Sequence, residues 1–235
     1  DPKALQYASN EMKADKDVVM AAVKQNGLTL EYADISLKAD KEVVIVAVQH
    51  GDALTTLWHA DQHLKANKEL VLLAVSKNPL ALKYAHYSLK KDKDVVLMAV
   101  GKNPLALIYA HFSLKKDKDV VLLAVRKNSL ALEYADNSLK GDKEVVLEAV
   151  RQNQLALRYA TEFLKADLDV VLVAVRQNGF ALMYSAELLK ANKGLVMEAV
   201  RQDPLSLEAY WSALGSCRTA TSTVSLSDFN LSEAN

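Results

Sequence analysis

Hydrophobic and polar positions alternate along the chain in two short patterns, each opening on a residue able to cap a helix. The first reads Asp-Lys-Asp/Glu-Val-Val-Leu-x-Ala-Val, as at Asp92 to Val100. Its Asp can accept from the free N–H groups of a first turn, an acid follows where the helix dipole favours it, and Lys or Arg lies near the end. A helix of about ten residues is predicted there despite the valines. The second pattern starts at Asn78-Pro79, Asn103-Pro104, Asn26-Gly27 or Asn128-Ser129, and in four copies, Leu80 to Ala85, Leu105 to Ala110, Leu130 to Ala135 and Leu155 to Ala160, it reads Leu-Ala-Leu-x-Tyr-Ala. Asn is a good N-cap and Pro is tolerated at the first helical position, so these dipeptides mark helix starts.

Both patterns keep one beat. The first begins at Asp15, Asp40, Asn67, Asp92, Asp117, Asp142, Asp167 and Asn192, 25 residues apart except for 27 between Asp40 and Asn67. Asp1-Pro2 and Asp203-Pro204 fit the second slot, giving nine second-type and eight first-type helices, each too short to be stable alone. Set at 100° per residue, Leu80, Ala81, Leu82, Tyr84, Ala85 and Leu89 fill an arc of roughly 200°, wide enough to meet a partner helix and both flanking repeats. Phe163 falls in this arc and is expected in the core. An all-α fold follows: an α-solenoid of two-helix repeats over residues 1–214, then a non-repeat, Ser/Thr-rich tail over 215–235, flexible or docked on a partner. The extra residues near His50-Gly51-Asp52-Ala53 enlarge one loop, beside Trp58 and His59, which also depart from the repeat.

Composition narrows the function classes. The chain has 235 residues, 51% hydrophobic, with only 7 Gly and 4 Pro, which leaves little material for strands and hairpin turns. Lys plus Arg and Asp plus Glu number 29 each, a balance that argues against a nucleic-acid backbone binder. No apolar stretch approaches the ~20 residues of a transmembrane segment. The lone Cys217 excludes a disulfide framework and fits an intracellular, reducing compartment, cytoplasmic or organellar. Because the first residue is Asp1, a processed or trimmed N-terminus is expected.

The combined string Asp-Lys-Asp/Glu-Val-Val-Leu-x-Ala-Val…Asn-x-Leu-Ala-Leu-x-Tyr-Ala-x-x-x-Leu-Lys-x-Asp resembles the short helical repeats of the family called domain of unknown function four-one-one-six, over residues 1 to 214. The resemblance implies a helical repeat fold and supplies no activity and no catalytic residues; a plastid location is implied only for an algal source.

No glycine-rich phosphate loop, nucleophile elbow, His-Glu-x-x-His or paired-cysteine motif is present, so no enzyme is expected. Asp92, Asp94 and their equivalents recur in every repeat, as caps do and a singular active site does not. His59 and His63, spaced i, i+4 on one predicted helix, and His86 and His111, one column 25 residues apart, are the candidates for a metal, pigment or small-molecule carrier. No third ligand accompanies His59 and His63, and no cofactor is expected.

Columns identical in every repeat serve the stack, so a binding surface is sought where outward columns vary. One runs Glu31, Trp58, Lys83, Ile108, Glu133, Arg158, Met183, and its neighbour runs Ile35, Gln62, Tyr87, Phe112, Asn137, Glu162, Glu187. Trp58, Tyr87, Ile108, Phe112 and Met183 are therefore apolar on a face expected to be wet, the mark of a contact surface. Val46, Leu73, Met98, Leu123 and Val173 suggest an apolar groove on the first helices. Arg126, Arg151, Arg176 and Arg201 form a basic ladder that either offsets helix dipoles or docks an acidic partner. The expected function is a non-enzymatic protein-interaction scaffold or accessory subunit of a larger assembly.

Overall fold

The computed structural model describes residues 1–202. The last second-type helix expected at Asp203-Pro204, Cys217 and the tail 215–235 lie outside the described residues. Each of the eight first-type helices forms, from Lys16–Gln25 through Lys41–His50, Lys68–Lys77, Lys93–Lys102, Lys118–Lys127, Lys143–Gln152 and Leu168–Gln177 to Lys193–Gln202. We call these the long helices. Their caps act as expected: Asp92 Oδ1 accepts from the amides of Asp94 (3.0 Å) and Val95 (3.2 Å).

The second element differs from expectation. Where one helix was predicted over Pro79 to Lys90, the chain makes a 3-10 helix, Pro79–Tyr84, and a separate four-residue α-helix, Tyr87–Lys90. The same division recurs at Pro104–Tyr109 with Phe112–Lys115, and in the later repeats as far as Gly179–Tyr184 with Glu187–Lys190. The cause lies in the residues between. Ala85 and His86 are both extended (ψ 149 and 151), and His86 caps the short helix by accepting the Ser88 amide at Nδ1 (3.3 Å). Asp34, Asp61 and Asp136 do this in their own repeats.

Junctions are minimal. Asn103 ends one helix, its amide donating to Ala99 O (2.8 Å), while its Oδ1 opens the next by accepting from Leu105 N (3.0 Å). One residue, by its backbone amide and its side chain, thus serves two helix ends with no linker between them. After His50 the two extra residues let Asp52 start a seven-residue α-helix, Ala53–His59, in place of the six-residue 3-10 helix. At an α rise it covers about the same length. The backbone crowds there: a Cβ on Gly27 would lie 1.9 Å from Ala47 O, so glycine is required.

The six long helices from Lys41–His50 to Leu168–Gln177 bury the same four positions, Val95, Val96, Ala99 and Val100 in one repeat, while Lys16–Gln25 buries only Val19 and Val23 and Lys193–Gln202 leaves Val200 half-buried; each packs on a neighbouring long helix and on the 3-10 helices beside it. Ala106 and Leu107 complete the layer, with no exposed surface. Valine lowers helix propensity only slightly, and burial between two neighbours outweighs it.

Two further bonds tie repeats together. The amide at each short-helix cap donates to the last carbonyl of the preceding short helix, as His111 N to Lys90 O (3.0 Å), and seven such bonds run from Asp34 to Ala186 among the described residues. The leading lysines Lys16, Lys68, Lys93, Lys118 and Lys143 each reach the cap and the first-turn acid of the next repeat, and Lys41 reaches Glu69: Lys93 Nζ lies 2.8 Å from Asp117 and 3.1 Å from Asp119. Burial alone would raise the Asp117 carboxyl, but Lys93 and the Val120 amide reverse that and hold it below its ordinary value. Where Leu168 replaces the lysine, the next repeat has Asn192 and Gly194 instead of two acids, so both halves of the pair are lost together. The architecture is a helical solenoid, and among the described residues no strand forms.

Candidate partner-binding face

A 3-10 helix has three residues per turn, so side chains three apart eclipse. Leu105 therefore stands in line with Ile108, and Phe180 with Met183, each pair making an exposed ridge. The wheel drawn for one continuous α-helix had put the Leu80 and Leu105 column inside.

Trp58, Tyr87, Ile108, Phe112 and Met183 are all exposed, as expected. The structure brings Tyr87 and Phe112 together through His111. The His111 ring meets Tyr87 edge-on, with centroids 4.8 Å apart, and tilts against Phe112 at 4.1 Å. Its Nδ1 accepts from the Ser113 amide (3.2 Å), which puts the ring proton on Nε2, where it donates to the Tyr87 hydroxyl at 2.6 Å. Burial pushes the His111 pKa below its usual value, and the nearby Lys91 adds to this. Ile108 lies on the preceding 3-10 helix, separated from Phe112 by the extended Ala110 and His111, and its carbonyl accepts from Lys115 Nζ (2.8 Å). Trp58, one repeat earlier, stacks on Tyr84 at 6.1 Å, while Met183 belongs to a separate ridge three repeats on.

Lysines accompany this cluster. Lys91 Nζ sits 4.3 Å from the Tyr87 ring centroid, Lys116 5.9 Å from Phe112 and Lys83 5.1 Å from Tyr84. The positions of Lys91 and Lys116 are Ala or Gly in every other repeat, as at Ala39, Ala66, Gly141 and Ala166.

Other candidates are rearranged. Phe163, expected in the core, is 79% exposed, and its counterpart Leu188 is 78% exposed. Both sit at the second position of a short helix, whose phase is reset by the extended pair before it. His59 and His63 lie on different helices, Ala53–His59 and Gln62–Lys65, so the i, i+4 geometry does not arise. His59 rests against Trp58, and His63 Nδ1 is 2.6 Å from Asp61. His86 and His111 are helix caps. Arg126 and Arg176 face Glu148 and Glu198 of the next repeat at 3.7 Å, and Arg201 also reaches Glu198. Arg151 is exposed, and Val173 stands where those glutamates would be. Val46, Leu73, Leu123 and Val173 are half-buried against the core, with Met98 more open.

A family model described as Domain of unknown function (DUF4116) matches residues 1–38, 15–65, 67–115, 92–140, 117–165, 142–190 and 167–210. The chain belongs to the DUF4116 family. No curated protein and no solved structure matches it. Most of the family matches span two repeats and overlap by one, which follows the way each DUF4116 repeat is completed only by its neighbour. Among the described residues of this DUF4116 chain, no three His, Cys, Asp or Glu side chains converge as metal ligands, and no helix is long and apolar enough to cross a membrane. A cavity of about 310 Å³ opens at the first repeat, lined by Leu5, Ala8, Met12, Val18 and Ala22, far along the chain from the aromatic cluster.

Proposed function

We propose that this DUF4116 chain is a non-enzymatic scaffold or accessory structural subunit that binds another protein through Tyr87, Ile108 and Phe112. One observation carries the reading: exposed aromatic and aliphatic side chains, held in place by the His111 bridge, gather on two adjacent repeats of a scaffold whose inner columns stay constant. Apolar side chains of this size contribute about 1.5–3 kcal/mol each when a partner buries them. Replacing Ile108 and Phe112 together by serine is expected to weaken partner binding on the order of a hundredfold, with helix content kept and the melting midpoint lowered only modestly, because both side chains are already largely exposed (43% and 62%). Affinity capture of native partners by the two proteins reads this directly. Equal recovery with the folded double variant sinks the assignment.

A further inference from the structure

The aromatic face also carries a charge pattern that narrows its partner. Taking the outward 3-10 position together with the cap, first, second and closing positions of each short helix, residues 83–116 present Lys83, Lys91 and Lys116 and no acid. The same positions carry Glu31, Asp34 and Asp61 in the two preceding repeats and Glu133 and Asp136 in the one that follows. Asp136, whose carboxyl is held below its ordinary value mainly by the Ser138 amide and hydroxyl, also feels Lys116 across the border. The face is thus a basic, aromatic window two repeats wide, bounded on both sides by carboxylates.

We infer that this window receives a short acidic segment of a partner protein, with apolar side chains between its carboxylates: the carboxylates meet Lys83, Lys91 and Lys116, and the apolar side chains lie on Tyr87, Ile108 and Phe112. This rests on the reading of the face as a protein-binding surface and adds the chemistry of what binds. The acidic borders favour a short segment over a long polyanion or a flat anionic membrane, which would run onto Asp61 and Glu133 and be repelled. Neighbouring helices pack about 10 Å apart, so roughly six residues of extended chain cover the window. Lys91 and Lys116 lie over the Tyr87 and Phe112 rings, so their charges sit beside the apolar part of the window.

Fluorescence anisotropy with a labelled peptide, Gly-Ser-Glu-Leu-Glu-Phe-Glu-Leu-Gly-Ser, against versions carrying Gln or Lys in place of Glu, tests this on the full chain. The Glu peptide is expected to bind at least about tenfold more tightly than the Gln version, to lose that advantage in Lys91→Glu/Lys116→Glu, and to weaken as salt rises. Lys91→Gln/Lys116→Gln, which avoids placing acids at helix C-termini, is expected to fall between, and circular dichroism confirms that both variants fold. Equal affinity for the Glu and Gln peptides, no binding of either, or no effect of the lysine changes overturns the proposal. So does tighter binding to phosphatidylserine vesicles or to oligo-deoxythymidine, or a sedimentation result in which the window is closed by a second copy of the chain. If native-partner capture is lost with Ile108→Ser/Phe112→Ser but kept with Lys91→Glu/Lys116→Glu, the binding face stands and its acidic partner falls.

Discussion

Residues 78–127 and 153–202 share one interior and present opposite exteriors. In both stretches the long helices turn Val-Val or Leu-Val, Ala and Val inward at the same positions, with only Val200 half-buried, and Leu107 and Leu157 are equally inaccessible. Outside, the first stretch has histidine caps, Tyr87, Phe112 and the ring-facing lysines Lys91 and Lys116, whereas the second has Thr161 and Ala186 at the cap positions, neither making a side-chain cap bond. Glu162 and Glu187 follow, each engaged by a lysine of its own helix, with Phe163 and Leu188 outermost. The inner columns, the long-helix caps and the junctions stay constant, while the outer columns differ, aromatic and basic in one stretch and weakly capped in the other.

The shared interior is the place to break this comparison. Leu107→Ala and Leu157→Ala are each expected to cost about 3 kcal/mol, the cost of a cavity at a fully buried leucine, and urea denaturation should give equal losses. A large inequality between them would show that the two interiors are not equivalent. A smaller effect sharpens the contrast outside. Thr161 Oγ1 is buried without a hydrogen-bond partner, and Ala186 offers none, so Thr161→Asp and Ala186→Asp should each stabilise by about 1 kcal/mol through the cap that Asp136 already makes at Ser138. Thermal melting that does not rise would mean that the second stretch lacks more than a cap.

The smallest effect concerns pH. Because burial lowers the His111 pKa in the folded chain, its share of stability is complete above the ordinary histidine value of about 6.5 and is lost as pH falls from there through the lower folded value. Protonation at Nδ1 removes the acceptor that holds the Ser113 amide, while Tyr87 and Lys91 face the ring from the preceding repeat. The drop in melting midpoint between pH 7.5 and pH 5 should be smaller in His111→Asp, which caps without titrating in that range. An identical pH response in the variant would remove His111 from the account.

Much of this was legible from residue patterns. The 25-residue beat, the Asp and Asn caps, the valine-rich long helices and the exposure of Tyr87, Ile108 and Phe112 follow from capping and periodicity. The division of the second element was not, because a single 3.6-residue wheel was laid across it. Its signal was present in Asp34-Ile35-Ser36 and Asp136-Asn137-Ser138, capping triplets in the middle of a presumed helix. These triplets end the first element and restart the second, which turns Phe163 outward, parts His59 from His63 and exposes the ridges of Leu105 and Phe180. The pairing of Lys91 with the Tyr87 ring and of His111 with the Tyr87 hydroxyl needed three-dimensional placement, since 24 residues separate the latter two.

The asparagine that closes one helix and opens the next has a consequence for how such a chain can change length. With no spare residue at that junction, a single deletion inside a unit has no slack to draw on and must shift a cap off its helix. Growth or shrinkage by a whole unit of 25 leaves every cap in register, and the one tolerated departure, after His50, needed a converted helix and two facing glycines to accommodate it. The chain is in effect counted in whole repeats, so duplication or loss of an entire unit is the route by which its reach alters while its packing does not.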